Sequence, residues 1–301
     1  MNDLITDVKS LEIETLNNLK NSKANNTLKA YQSDFRDFTA FCVKNGFSSM
    51  PTQPKILALY ITHLSKSYKF STLKRRIASI SVIHKLKGHY LDVKHPIIME
   101  NLHGIKRTLG SRQKAKKPIL INDLKLIINV IDEEKTRDKA LILIGFAGGF
   151  RRSELVNIDY EDIEFVPEGV KILIKRSKTD QSGEGTIKAI PYFDNQEFCP
   201  VLALKKYINE KFKDKNNLKI FGISDKSVAL IIKKYAEKAG LDASRYAGHS
   251  LRSGFATTAA EFGAEERNIM AMTGHKTTQM VRRYIQEANL FKNNALNKIK
   301  I

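Results

Sequence analysis

His249 and Arg252 stand three residues apart, Gly274-His275 follows, and Tyr284 lies nine residues past that histidine. Each side-chain type suits a phosphodiester. An arginine forks onto phosphate oxygens, a histidine carries protons near neutral pH, and a tyrosine oxygen serves as a nucleophile once it is assisted. Two upstream residues fit the same chemistry. Arg151 comes directly after an apolar run and a glycine pair, in Gly148-Gly149-Phe150-Arg151. A charge placed there must be paired or used. Glu154, three residues on, is near enough to orient it, although locally such a pair reads equally well as structural. Lys178 falls in the polar, glycine-bearing stretch 177–185, which reads as a hairpin tip. Taken alone it reads as a solvated lysine.

The elements that must position these groups show in the apolar spacing. Leu28, Tyr31, Phe35, Phe38 and Cys42 form one helical stripe, with Asn26 as cap and Gly46 as stop. Pro51 and Pro54 precede a second helix carrying Ile56, Leu59, Tyr60 and Leu64. Ser71 caps a third, whose face holds Leu73, Ile77, Ile80 and His84, and Gly88 ends it. Pro96 precedes a fourth, with Ile97, Ile98, Leu102 and Ile105. Residues 1–105 thus read as a small helical domain. Lys74, Arg75 and Arg76 are expected opposite the third stripe, where they suit a DNA backbone. His84 reads as a packed core histidine. Residues 106–118 carry Lys106, Arg107, Arg112, Lys114, Lys116 and Lys117, no acid, and a closing Pro118. They read as a basic linker able to track phosphates.

Residues 119–301 read as a second, α+β domain. Helices over Leu124–Ile131 and 137–147 precede strands at 163–165, 170–174 and 186–190. Helices at 201–213, 224–239 and 249–262 follow, then a short one at 264–272 and a last one carrying Val281 and Tyr284. The fold class is mainly α with a small antiparallel β-sheet. In the tail 287–301, Phe291, Ala295 and Ile299 share a stripe suited equally to a partner's groove or to packing on its own domain.

The net charge is +19. Residues 1–117 hold 21 Lys+Arg against 8 Asp+Glu, and the remainder 30 against 24. A basic excess concentrated in one segment points to a polyanion, most often nucleic acid. No run of about 18 apolar residues suggests a membrane span. The first residues lack a signal-peptide pattern, and Cys42 and Cys199 fit neither a metal spacing nor a disulfide framework. A cytoplasmic protein is expected. No Asp/Glu/His cluster has ligand spacing and no Walker-type loop is present, so neither metal nor cofactor is expected.

The motifs resemble those of the tyrosine recombinase family, the lambda-integrase-type site-specific recombinases. Gly149-Phe150-Arg151-Arg152-Ser153-Glu154-Leu155 is similar to the family's arginine box, and Ser177-Lys178-Thr179 to the setting of its hairpin lysine, with Lys175 and Lys188 near it in a hairpin whose register the sequence leaves open. His249–Arg252 is similar to its His-x-x-Arg box, and Thr273-Gly274-His275 to its Leu-Gly-His box, with Tyr284 at the nucleophile's spacing. Thr273 stands where leucine is usual, a packing position.

The resemblance covers the whole chain. It implies a helical core-DNA-binding (SAM-like) domain, a linker and a recombinase catalytic domain. It implies cleavage and rejoining of DNA through a 3′-phosphotyrosyl intermediate, in integration, excision or dimer resolution. Arg151, Arg252 and His275 would hold the phosphate, His249 would carry protons, Lys178 would protonate the leaving 5′-oxygen, and Glu154 would support the site. Double-stranded DNA is the implied partner, with a dimer on each site and a tetramer in synapsis, and no metal. Type IB topoisomerase-like relaxation and a non-catalytic DNA-binding regulator are the alternatives.

Overall fold

The computed structural model describes residues 11, 14, 25–110, 116–175, 185–211, 219–289 and 295–299. Contacts divide the chain into two units, Met1–Lys114 and Ala115–Ile301.

The first unit holds helices α1 (Asn25–Lys44), α2 (Pro54–Ser65), α3 (Phe70–Leu86) and α4 (Pro96–Leu109). Pro54 and Pro96 open their helices, where a missing N–H has no partner to lose and φ is already helical. α1 packs on α3 and α2 on α4. Their apolar faces close over Phe38, Cys42, Leu57, Ile61, Leu73, Ile80 and Ile98. His84 is buried among them. Its Nε2 accepts from Thr52 N–H at 3.2 Å and its Nδ1 donates to Ile80 O at 2.9 Å, so it is a core histidine.

Three local expectations differ from what is observed. α3 begins one residue before Ser71, with Lys69 at its N-cap. α4 continues to Leu109, so Lys106 and Arg107 lie in its last turn, where positive charge meets the helix's negative end. Arg76 does not stand opposite the apolar stripe. Three residues after Leu73 and four before Ile80, it lies on the stripe itself and is 8% exposed. Its guanidinium bonds Asp37 and Tyr60 and stacks 4.8 Å from the Tyr68 ring. Asp34, buried beside it, takes Arg75 and the Ser79 hydroxyl.

The second unit contains α5 (Ile121–Asn129), α6 (Thr136–Ala147), the short α7 (Arg152–Val156), β1 (Ile163–Val166), β2 (Gly169–Ile174), β3 (Thr186–Pro191), α8 (Pro200–Lys211), α9 (Asp225–Lys238), α10 (Ser250–Glu261), α11 (Glu266–Thr273) and α12 (Thr278–Ala288). The architecture is mainly α with one antiparallel sheet in the order β1-β2-β3. α6 is apolar on every side from Ala140 onward and packs against α8 and α10. α10 lies so close to the chain before α5 that a Cβ on Gly254 would meet Ile119 O at 2.0 Å. Lys116 and Lys117 are fastened to this unit. Lys116 Nζ donates to Ser244 O at 2.6 Å, and Lys117 Nζ sits 2.8 Å from Asp123.

α12 docks apart from the main core, burying its Val281 against Ala256, Ala260 and Ile269. Of the expected tail stripe, Phe291 lies outside the described residues and Ile299 is exposed. No helix among the described residues is long and apolar enough to cross a membrane.

Candidate active site

The site is built where three helix ends meet. α6 ends at Gly148, and Gly149 turns the chain with φ +55, where a Cβ would press on the Phe255 ring at 3.0 Å. Phe150 is then buried and Arg151 becomes the N-cap of α7. Glu154 folds back on the cap. It accepts from Arg151 N–H at 3.0 Å and ion-pairs with the Arg151 guanidinium. Arg151 Nη2 also donates to Gly274 O at 3.0 Å. Arg152 turns elsewhere, with its side chain laid against Gly248 and 3.9 Å from Asp225. Arg151 is therefore the guanidinium of this pair that faces His275's turn.

Arg252 is 1% exposed. Its Nη1 donates to Gly149 O at 2.9 Å, and its Nε has no hydrogen-bond partner among the described residues. Burial, and then the neighbouring Arg151, lower its pKa to about 10, against Glu154 and Tyr284. Arg151 and Arg252 feel each other's charge, and Glu154, paired with Arg151, offsets only part of it, so the site is short of an anion.

His249 forms the N-cap of α10. Desolvation by the surrounding chain, then Arg252, Arg151 and Arg152, hold its pKa below the ordinary imidazole value, although the residue as a whole is exposed. His275 follows Gly274, a left-handed C-cap of α11 with φ +63. It is 7% exposed, and burial, followed by Arg252 and Arg151, lowers its pKa to about 4. Its ring centroid lies 5.9 Å from that of Tyr284 on α12. Arg282 on α12 reaches Glu266 at 3.4 Å and ties that helix to α11.

A cavity of about 230 Å³ is lined by Arg151, Glu154, Lys188, Thr273, Gly274 and His275, among others. Lys188 is one of the two lysines that the sequence places near Lys178, and the hairpin register decides where it points. It is 5% exposed, and burial brings its pKa down to about 7, with Glu154 opposing and Arg252 and Arg151 assisting. A signal existed. In a strand, Ile187 and Ile190 cannot share a face. Once Ile190 pairs with Val170 in the core, Lys188 must pair inward with Ile172, leaving Ile187 65% exposed.

Lys178, Arg112 and Lys114 lie outside the described residues. Lys175 is held by Asp159, Asp162 and Glu161 at 3.2, 2.9 and 2.5 Å. Those three carboxylates could surround a cation, and the ammonium of Lys175 already sits among them. In the first unit Lys74, Lys106 and Arg107 are exposed, while the charges of Arg75 and Arg76 are spent on Asp34 and Asp37. Lys117 is likewise paired, with Asp123.

Residues 117–290 match the phage integrase family. The integrase/recombinase xerD homolog of Selenomonas ruminantium is 43% identical over 305 aligned residues, covering 96% of this chain and 89% of that protein. The tyrosine recombinase XerC of Herpetosiphon aurantiacus is 28% identical, covering 88% and 85%. Among solved structures, a lambda integrase dimer bound to a COC′ core site has a TM-score of 0.62 at 15% identity, covering 97% of this chain and 98% of that one. At that identity the structural likeness is one of fold. Family match, extended identity and a cation-rich, anion-seeking site agree: this chain belongs to the phage integrase family and is a site-specific tyrosine recombinase.

Proposed function

We propose that the enzyme cuts and reseals double-stranded DNA with Tyr284 as nucleophile. The Tyr284 oxygen attacks phosphorus and the 5′-oxygen leaves, giving a 3′-phosphotyrosyl bond and a free 5′-hydroxyl. Reversal by an incoming 5′-hydroxyl reseals the strand without an external energy source. Arg151 and Arg252 hold the non-bridging oxygens, where charge builds in the transition state. His275 donates a hydrogen bond to the same phosphate. His249 takes the tyrosine proton, and Lys178 gives one to the leaving oxygen. Glu154 holds Arg151 in place and does not react.

The carrying observation is the pair of guanidiniums fixed by backbone carbonyls. Arg252 is anchored by Gly149 O and Arg151 by Gly274 O, with two charge-depleted histidines beside them. Such a hole is complementary to a phosphate dianion-like transition state. Exchange between two duplexes breaks four strands, so four copies of Tyr284 must meet, two on each site. The dimeric lambda integrase on its core site supports the first half of that assembly. Lys74, Lys106 and Arg107 are proposed as backbone contacts.

The test uses duplex DNA nicked beside a candidate site, so that the released short strand diffuses away. A covalent protein–DNA band on a denaturing gel is expected for wild type and not for Tyr284→Phe. A band that survives in Tyr284→Phe moves the nucleophile elsewhere.

A further inference from the structure

The buried end of Lys188 bonds two backbone carbonyls from different parts of the chain. Nζ donates to Gly148 O and to Met272 O, both at 2.6 Å. Gly148 caps α6, and the chain then carries Gly149, which receives Arg252, and Arg151. Met272 lies in the last turn of α11, and the chain then carries Gly274 and His275. One ammonium therefore closes the C-terminal ends of two helices, just before each delivers a residue to the phosphate hole. Carbonyls at a helix end have no partner within the helix, and the end carries partial negative charge. A cation bridging two such ends satisfies both at once. The Phe150 ring, 4.4 Å from Nζ, covers the remaining side.

We propose that Lys188 is a positioning residue that ties the turn bearing Arg151 to the turn bearing His275 and so sets the spacing between them. Arg151 and Gly274 are joined from the other side by the Nη2–O bond of 3.0 Å, so the two turns are clamped twice. A neutral amine still has two N–H donors, and there are two carbonyls to satisfy. The clamp therefore holds on either side of the pKa of about 7. This separates Lys188 from a proton donor, whose contribution would follow its charge. The proposal rests on Arg151 and His275 being the phosphate-holding groups.

The test compares wild type with Lys188→Met, which keeps the stem and removes the donors, on the nicked duplex. The single-turnover rate of covalent complex formation is expected to fall on the order of 100-fold, as for a misplacement of about 1 Å. DNA affinity is expected to change less than about threefold, because the groove contacts are untouched. In a cycle with His275→Gln, the two losses are expected to be strongly sub-additive, which a general loss of folding does not produce. The pH profile of the remaining activity is expected to keep the shape of wild type. Should Lys188→Met not fold, Lys188→Gln, with two N–H donors on a shorter stem, takes its place in the same cycle.

Normal cleavage by Lys188→Met, additive losses, or a pH profile that loses a limb near 7 each overturn the proposal. A His275→Gln enzyme that cleaves at the wild-type rate overturns the reading of the site and this proposal together.

Discussion

Thr273 Oγ1 lies 2.7 Å from His275 Nδ1 and 2.6 Å from Ile269 O. A hydroxyl has one hydrogen and a carbonyl can only accept, so the Thr273 hydrogen goes to Ile269. His275 Nδ1 must then donate to Thr273, and Nε2 of the neutral ring carries a lone pair. To donate to a phosphate through Nε2, the ring must gain a proton as the anion arrives. Thr273→Val keeps the shape and removes this constraint. Its expected result is the Nε2–H tautomer in the free enzyme and a covalent step that no longer needs that proton, so its rate depends less on pH than in wild type. Histidine ¹⁵N shifts check the tautomer directly.

The same ring makes the free protein sensitive to acid. An unfolded imidazole titrates near 6.5 and the folded His275 near 4. Between these values the unfolded chain binds a proton that the folded chain refuses. Stability from this group is therefore complete above about 6.5 and is lost as pH falls toward about 4. His249 shifts in the same direction and adds to the slope. The Tm without DNA should drop across this window, and His275→Gln should flatten the drop.

Arg252→Lys retains a charge and loses the fork. One donor stays on Gly149 O and the bidentate grip disappears. Loss of one such transition-state donor predicts a fall of about 10² to 10³ in the covalent rate. DNA retention on native gels should be nearly unchanged.

Glu154→Gln removes the charge that holds Arg151 and keeps an acceptor for Arg151 N–H. The partly buried guanidinium is then left without its carboxylate. A loss of about 1–3 kcal/mol in urea unfolding is expected, together with slower cleavage.

Arg76 and Lys74 should separate cleanly. Arg76→Met removes a buried guanidinium whose partner Asp37 is half exposed and whose neighbour Asp34 keeps Arg75 and Ser79, a cost of about 1–3 kcal/mol. Lys74→Ala should leave stability within about 0.5 kcal/mol and lower the salt slope of DNA binding by about one. Thermal melts and salt titrations of the two variants give the comparison.

The parts of the site that were legible in the sequence are contiguous ones. Arg151 with Glu154, His249 with Arg252, and Gly274-His275 with Tyr284 each sit within about three turns of chain, so residue type and spacing expose them. The three sheet strands and the helix order were legible from period alone. What was hidden depends on distant partners. Lys188 becomes visible only when β3 takes its register against β2. Thr273 was read as a packing position. It is indeed fully buried, and its hydroxyl nevertheless governs His275. Arg76 belongs to a row of three basic residues. Its spacing from Leu73 and Ile80 already places it on the buried stripe, and only its partner Asp37, on α1 more than thirty residues earlier, was hidden.

The helix that carries Tyr284 buries its own Val281 against only Ala256, Ala260 and Ile269, while Arg151 and Arg252 follow chain set in the large core, beside Phe150 and Leu251. The anvil and the hammer of this enzyme are mounted on foundations of very different depth. Mild denaturant or warming should unseat α12 first, with amides of 278–288 exchanging before those of α6 and α10. The phosphate hole should then survive, intact and idle, in a molecule that has let go of its nucleophile.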